Sequence, residues 1–170
     1  MAVRPRLPII RAHHCSAGAK GRLRAQGLGR SIGGFTTKIH LRINALGLPI
    51  AVALTGGEVS DFKGYLPVMD ADGPAPKVLL GDKGYDADFI RKDMERRSGT
   101  AMIPTKRNRL IQLPVDNAVY ALRNMVERCF NKMKNARRLA TRYDKTADSY
   151  LAFIHIVSIR PWARHFVNAS

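Results

Sequence analysis

The sequence predicts an α/β domain built on a sheet of mixed strand direction with flanking helices. Three observations carry that expectation. A strand-hairpin signal runs from Lys38 to Leu54; strand, helix, strand and helix patterns follow in succession; and the 170 residues are 45% hydrophobic and 25% charged, a globular composition long enough for a real core. Charge is unevenly spread. Residues 1–50 hold nine Lys and Arg and no acid, the first carboxylate being Glu58. Residues 51–100 hold seven basic and nine acidic residues, and 101–170 hold thirteen and four, for a formal total of +16. Two basic flanks around an acid-bearing middle point to a polyanion, DNA or RNA, as partner; the same charge also suits a merely soluble basic protein. No apolar run is long enough to span a bilayer, and no apolar stretch follows Met1–Arg6 as in a signal peptide. Cys15 and Cys129 lack Cys-x-x-Cys spacing. The default is a reduced cytoplasmic protein with no membrane association.

Residues 1–37 read as a flexible basic arm, in which Gly18, Gly21, Gly27, Gly29, Gly33 and Gly34 are interleaved with Lys20, Arg22, Arg24 and Arg30. Residues 38–170 read as the core. Strict alternation places Ile39, Leu41, Ile43 and Ala45 on one face of a half-buried strand and Lys38, His40, Arg42 and Asn44 on a polar face, which makes His40 a surface or DNA-facing residue. Leu46-Gly47-Leu48 turns the chain, and Pro49–Leu54 returns as a second, more buried strand ended by Gly56-Gly57. Lys77–Leu80 reads as a core strand ending at Gly81-Asp82-Lys83-Gly84-Tyr85. Asp86 is placed to cap a helix through Arg97, with Gly99 just past its end. Thr100–Ile103 is a short strand stopped by Pro104, and the basic loop Lys106-Arg107-Asn108-Arg109 follows. A long helix is expected from Asp116 or Asn117 to Arg137, then a buried helix over Ser149–Ile159 that Pro161 should end or kink.

Asp82 stands at the carboxyl end of a buried strand, where α/β sheets place working residues; such an Asp is either a reacting carboxylate or a turn residue. On the long helix, Tyr120, Arg123, Glu127 and Lys134 share an arc of about 60°, apart from the apolar stripe of Leu122, Val126, Cys129 and Met133. The row is either a reaction surface or a solvated face with ordinary pairs such as Arg123–Glu127. Phosphodiester cleavage fits it. That chemistry uses two divalent ions about 3.5–4 Å apart, held by carboxylates such as Asp82 and Glu127. Arg123 and Lys134 would hold phosphates, and Tyr120 would donate to an oxygen or pack. His13-His14-Cys15 has ligand-type side chains, but three adjacent ones do not converge readily on one ion.

These residues resemble a known family. Tyr120-x2-Arg123-x3-Glu127-x6-Lys134 is similar, without a gap, to the Tyr-Arg-Glu-Lys signature of bacterial insertion-sequence transposases of the DDE type, and Gly81–Asp86 resembles their second-Asp motif. Arg11-Ala12-His13 with Ala17–Lys20, and Gly33–His40, resemble the insertion-sequence-five family in particular, so that the similarity runs from Arg11 to Asn168. The resemblance implies a ribonuclease H-like fold in which three acids bind Mg²⁺ or Mn²⁺ in a two-metal arrangement. It implies cleavage at the terminal inverted repeats of the element and strand transfer to target DNA, by a homodimer at paired ends. Asp82 would be the second acid and Glu127 the third, with Tyr120, Arg123 and Lys134 as signature residues on phosphate. DNA contacts are expected from Lys20, Arg30, Lys38, Lys83, Lys106, Arg107 and Arg109. The first acid is expected five residues before Arg11, where Arg6-Leu7-Pro8 stands: Arg6 is a cation, and Pro8 disturbs a strand. The expectation is therefore an incomplete first strand in an N-terminally truncated or frameshifted copy, inactive alone, whose missing Asp an upstream frame product would supply. Asp61 is the nearest substitute and reads as structural. Two rivals stand beside this: a catalytically dead DNA-binding remnant, and a general ribonuclease H-like nuclease.

Overall fold

In the computed structural model, which describes residues 3–4, 9–18, 26–31 and 34–168, the alternating segment forms the longest strand and the hub of the sheet. The strands are β1 (Val3–Arg4), β2 (Ile9–Ala12), β3 (Gly29–Ser31), β4 (Gly34–Ile43), β5 (Pro49–Gly56), β6 (Val78–Leu80), β7 (Thr100–Met102) and β8 (Thr141–Arg142). The helices are α1 (Tyr65–Met69), α2 (Asp88–Arg96), α3 (Asn117–Ala121), α4 (Asn124–Met133), α5 (Arg137–Ala140) and α6 (Ala147–Asn168). Strand β4 pairs antiparallel with β1, β2, β3 and β5. Strand β8 adds to β2 in parallel, with Arg11 opposite Thr141. Strands β6 and β7 form a separate parallel pair, and β6 lies against β1. This is the expected mixed α/β architecture, consistent with a ribonuclease H-like domain. No helix among the described residues is long and apolar enough to cross a membrane. Strands β2 and β3 fall inside the segment read as a basic arm, because their backbones pair with β4; Arg6, Pro8 and Lys20 lie outside the described residues.

Both faces of β4 are covered, and here the structure departs from the alternation argument. Ile39, Leu41 and Ile43 point into one core with Ile10 and Leu80, closed by Val126, Phe130 and Met133 of α4 and Tyr150 and Ile154 of α6. The opposite side of the sheet carries a second core of Tyr65, Val68 and Met69 from α1, Ile90 and Met94 from α2, and Leu79, Tyr85 and Ile103. The polar residues of β4 face that second layer. His40 is 1% exposed, not a surface residue. Its Nδ1 lies 2.9 Å from the Tyr85 hydroxyl and its Nε2 2.8 Å from Thr55 Oγ1. Arg42 is wholly buried and donates to the carbonyls of Val68 and Met69, each at 3.2 Å, and to that of Pro74. Buried polar groups persist only when paired, and these partners come from segments that local periodicity does not see. Strand β5, expected to be the more buried, is the less covered of the two.

Three further elements differ from the sequence reading. Asp86 does not cap α2; its N-cap is Ala87, and Asp86 is buried as an anchor between two loops. The helix ends in a Schellman arrangement, with Ser98 N–H donating to the Glu95 carbonyl at 2.9 Å and Gly99 N–H to Met94 at 2.8 Å, so Ser98 (φ 56°), not Gly99, takes the left-handed position. Helix α6 continues through Pro161 and buries only Tyr150, Ile154 and Ser158, leaving Ile156, Ile159, Phe166 and Val167 exposed. It touches the body along one stripe only.

The buried imidazole gives the fold an acid-sensitive component. Burial holds the His40 pKa down to about 4 from an ordinary 6.5, outweighing the nearby Asp61 charge, with Lys38 adding to the depression. The unfolded chain therefore binds the extra proton first. This stabilising contribution is complete above pH 6.5, declines as pH falls toward 4, and amounts to about 3 kcal/mol at about 1.4 kcal/mol per pH unit. Asp86 and Asp93 have lowered pKa values and lose their contributions only below the ordinary carboxylate range, so the windows separate. Urea unfolding midpoints followed between pH 6.5 and 4 should fall for the native chain and stay flatter for His40→Asn.

Candidate active site

The site forms where the end of β6 meets the two helices that follow β7. Asp82 lies two residues past Leu80, opening a 3-10 turn over Lys83–Tyr85 that Tyr85 N–H closes onto the Asp82 carbonyl at 2.9 Å. Asp116 begins α3 by accepting from Ala118 N–H at 2.8 Å and Val119 N–H at 3.2 Å. The expected single helix does not continue to Arg137. Leu122, Arg123, Met125 and Val126 each donate three residues back, so the chain tightens into 3-10 geometry between α3 and α4. Arg123 stands at that junction.

From there Arg123 reaches both carboxylates. Its Nη1 is 2.9 Å from Asp82 Oδ1 and 3.4 Å from Glu127 Oε1. The Tyr120 hydroxyl donates to the same Asp82 oxygen at 3.1 Å, while its ring lies under the Arg123 guanidinium at 5.1 Å. Side-chain exposures of 19% for Asp82, 26% for Arg123 and 35% for Glu127 leave the cluster open to solvent. Two acids from separate elements thus share one cation. The structure does not bring Lys134 to this point: it caps α4 two turns beyond Glu127, about 10 Å along the axis, with its ammonium 5.4 Å from the Phe130 ring.

A match to a family model described as a transposase DDE domain covers residues 10–160. The chain belongs to that family. It is similar to a Brucella ovis protein named as a transposase for insertion sequence element IS6501, at 31% identity over 130 residues, 76% of this chain and 99% of the relative. A Burkholderia cepacia protein named as a transposase for insertion sequence element IS402 is 29% identical over 130 residues, which is 71% of this chain and 59% of that protein. Membership ties this DDE domain to DNA transposition, to DNA as partner and to use of a divalent metal ion.

The cations expected on DNA are placed differently from one another in this DDE domain. Lys83, Arg107 and Arg30 are exposed, Arg30 lying 6.0 Å from the Phe35 ring. Lys38 is drawn inward, donating to the Val59 carbonyl at 2.5 Å and to Asp61 at 2.7 Å with 14% of its side chain exposed. Arg109 is ion-paired with Asp86 at 3.0 Å and with Asp88. His13, His14 and Cys15, expected not to converge, hold their ligand atoms within 4.8 Å of one another. The 3-10 turn that begins at His14 brings them together.

Sequence reasoning took Asp86 for a helix cap and missed its place as the anchor of the basic loop. Its wholly buried carboxylate accepts from Lys106 N–H at 2.8 Å, Arg91 Nη2 at 2.9 Å and Arg109 Nε at 3.0 Å. Burial alone would raise its pKa; the Lys106 amide, Arg91 and Arg109 together bring it below the ordinary range. The signal was present in its place four residues after Asp82, but nothing local names its partners. Asp86→Ala should cost about 3 kcal/mol of unfolding free energy, because it strands a buried amide and two guanidinium groups. Urea unfolding measures that, whereas Glu127→Gln, at an open ion pair, should shift stability by less than about 1 kcal/mol.

Proposed function

We propose that this DDE domain works on phosphodiesters at the terminal inverted repeats of an insertion element and on target DNA, with Asp82 and Glu127 holding Mg²⁺ or Mn²⁺. The observation that carries this reading is the convergence of two solvent-open carboxylates from different elements on one cationic nitrogen. The donor set fits the group: hard oxygen ligands from two partly exposed carboxylates. A divalent ion, when bound there, supplies polarisation of the phosphate and of the attacking hydroxyl. Arg123 holds the two acids together against their repulsion and keeps further N–H groups for a phosphate oxygen. Tyr120 orients Asp82 through its hydroxyl. Lys83 and Arg107 meet the DNA backbone, and Arg30 on β3 adds a further exposed cation. Paired element ends call for a second copy of the chain.

A second reading, a chain that binds DNA without cutting it, is favoured by a specific observation. The two-metal form of the chemistry needs a third carboxylate, and no acid precedes Glu58. Asp61, the nearest spare, is held by Lys38 at 2.7 Å.

Three measurements separate these readings. Mn²⁺ binding followed by electron paramagnetic resonance should weaken roughly tenfold or more in Asp82→Asn and in Glu127→Gln, as the loss of one of two anionic ligands requires. Supercoiled plasmid incubated with the chain and Mn²⁺ decides between them: cutting that vanishes in Asp82→Ala overturns the second reading, and a plasmid left uncut overturns cleavage by this chain alone. Affinity for a DNA duplex should fall steeply with salt, and Arg107→Ala should reduce the slope by about 0.9. A flat salt response would sink DNA binding altogether.

A further inference from the structure

The loop between β7 and α3 carries an apolar tip that no core uses. Leu110 is fully exposed and Ile111 is 72% exposed, although each is large enough to be worth about 1.5–3 kcal/mol when buried. The tip does not hang from a slack loop. The buried Asp86 carboxylate holds the Lys106 amide and the Arg109 guanidinium on its near side. Gln112 closes the far side, its Nε2 donating to the Arg109 carbonyl at 2.8 Å and to Lys106 at 3.2 Å while its Oε1 accepts from Thr105 at 2.5 Å. A braced loop thus presents two aliphatic side chains to water.

Its position relates it to the candidate site at both ends. The loop leaves the carboxyl end of β7, beside the end of β6 from which Asp82 projects. Asp86, which braces it, follows Asp82 by four residues, and the loop runs into Asp116, the cap of the helix that carries Tyr120. Arg107 is exposed within it, and Arg109, though paired, is 27% exposed. The tip therefore stands on the segment that links β7 to the helix carrying Tyr120, with Arg107 exposed in the same loop and Arg109 held by Asp86 and Asp88.

The geometry points to a wedge: Leu110 and Ile111 enter a base step of the DNA duplex and partly unstack it, while Arg107 contacts the adjoining phosphate. This rests on the proposed action on DNA and adds how the duplex is deformed beside the site. Aliphatic wedges flanked by basic residues kink and unwind DNA at the cost of a few kcal/mol of stacking, offset by the larger protein surface that the bent duplex meets. Rigidity suits that task, because a loose loop would fold its apolar side chains back onto the protein before it entered the stack.

The test uses the full chain and a nicked circular plasmid sealed by ligase at rising protein concentration, which averages over sequence. The native chain should change the linking number in proportion to bound protein. The double variant Leu110→Ser with Ile111→Ser, both at exposed positions, should bind with an unchanged salt slope while the linking change per bound chain falls roughly tenfold. Arg107→Ala should do the reverse, lowering the salt slope and keeping the linking change per bound chain. Salt-dependent binding with no linking change by the native chain, or the same change by the double variant, overturns the wedge and leaves DNA binding intact. Loss of self-association by the double variant in sedimentation, with the linking change unaltered, overturns it in favour of a contact between copies. Absence of salt-dependent binding overturns both readings together.

Discussion

The fold depends on one requirement: the polar side chains of β4 lie between two layers and must each find a partner there. An alternating strand on a one-sided sheet would leave Lys38, His40 and Arg42 in water. Here α1, the segment at residues 59–61 and the turn after Asp82 cover them, and each covering segment is fixed by the group it satisfies. Lys38 takes Asp61 and the Val59 carbonyl, His40 takes Tyr85 and Thr55, and Arg42 takes carbonyls at the end of α1 and at Pro74. The carboxylate at the head of the candidate site thus owes its place to a strand across the layer, because Tyr85 closes the turn that Asp82 opens. Gly64 shows how close the layers stand: a Cβ there would lie 2.0 Å from His40 Nδ1.

The same logic separates what could be read along the chain from what could not. Strand and helix succession, the short strands at residues 78–80 and 100–102, and a helix start at Asp116 or Asn117 follow from local pattern and are present. Alternation identified the two faces of β4 but not that both are buried, since the partners lie up to 45 residues away. Apolar content suggested a buried last helix. Yet α6 lies along one stripe, and an all-round apolar pattern carries no information on how many neighbours a helix has.

The candidate site was legible to the extent that it depends on helical phase. Tyr120 and Arg123 meet Asp82, and Glu127 joins them through Arg123. Lys134 shares their arc but lies elsewhere, since phase says nothing of distance along an axis. The 3-10 junction at Leu122–Arg123, which aims the guanidinium, has no residue signature of its own. Ion pairs that draw Lys38 and Arg109 inward were equally invisible, because a lysine or arginine has the same look in sequence whether its charge meets solvent or a carboxylate of the fold. The matched family and relatives rest on the whole pattern of the chain, not on any one of these contacts.

The pairing of β2 with β8 has a consequence for how the molecule is made. Arg11 and Thr141 are neighbours in the sheet, and Arg142 donates to Thr37 Oγ1 at 2.8 Å beneath them. During synthesis the edge of β2 emerges early and waits, unpaired, until nearly all of the chain has left the ribosome. Such late, distant closure slows folding. It also leaves a bare strand edge and the first apolar core open to other nascent chains meanwhile, so the yield of folded protein should depend on the pace of translation and on chaperones as much as on final stability.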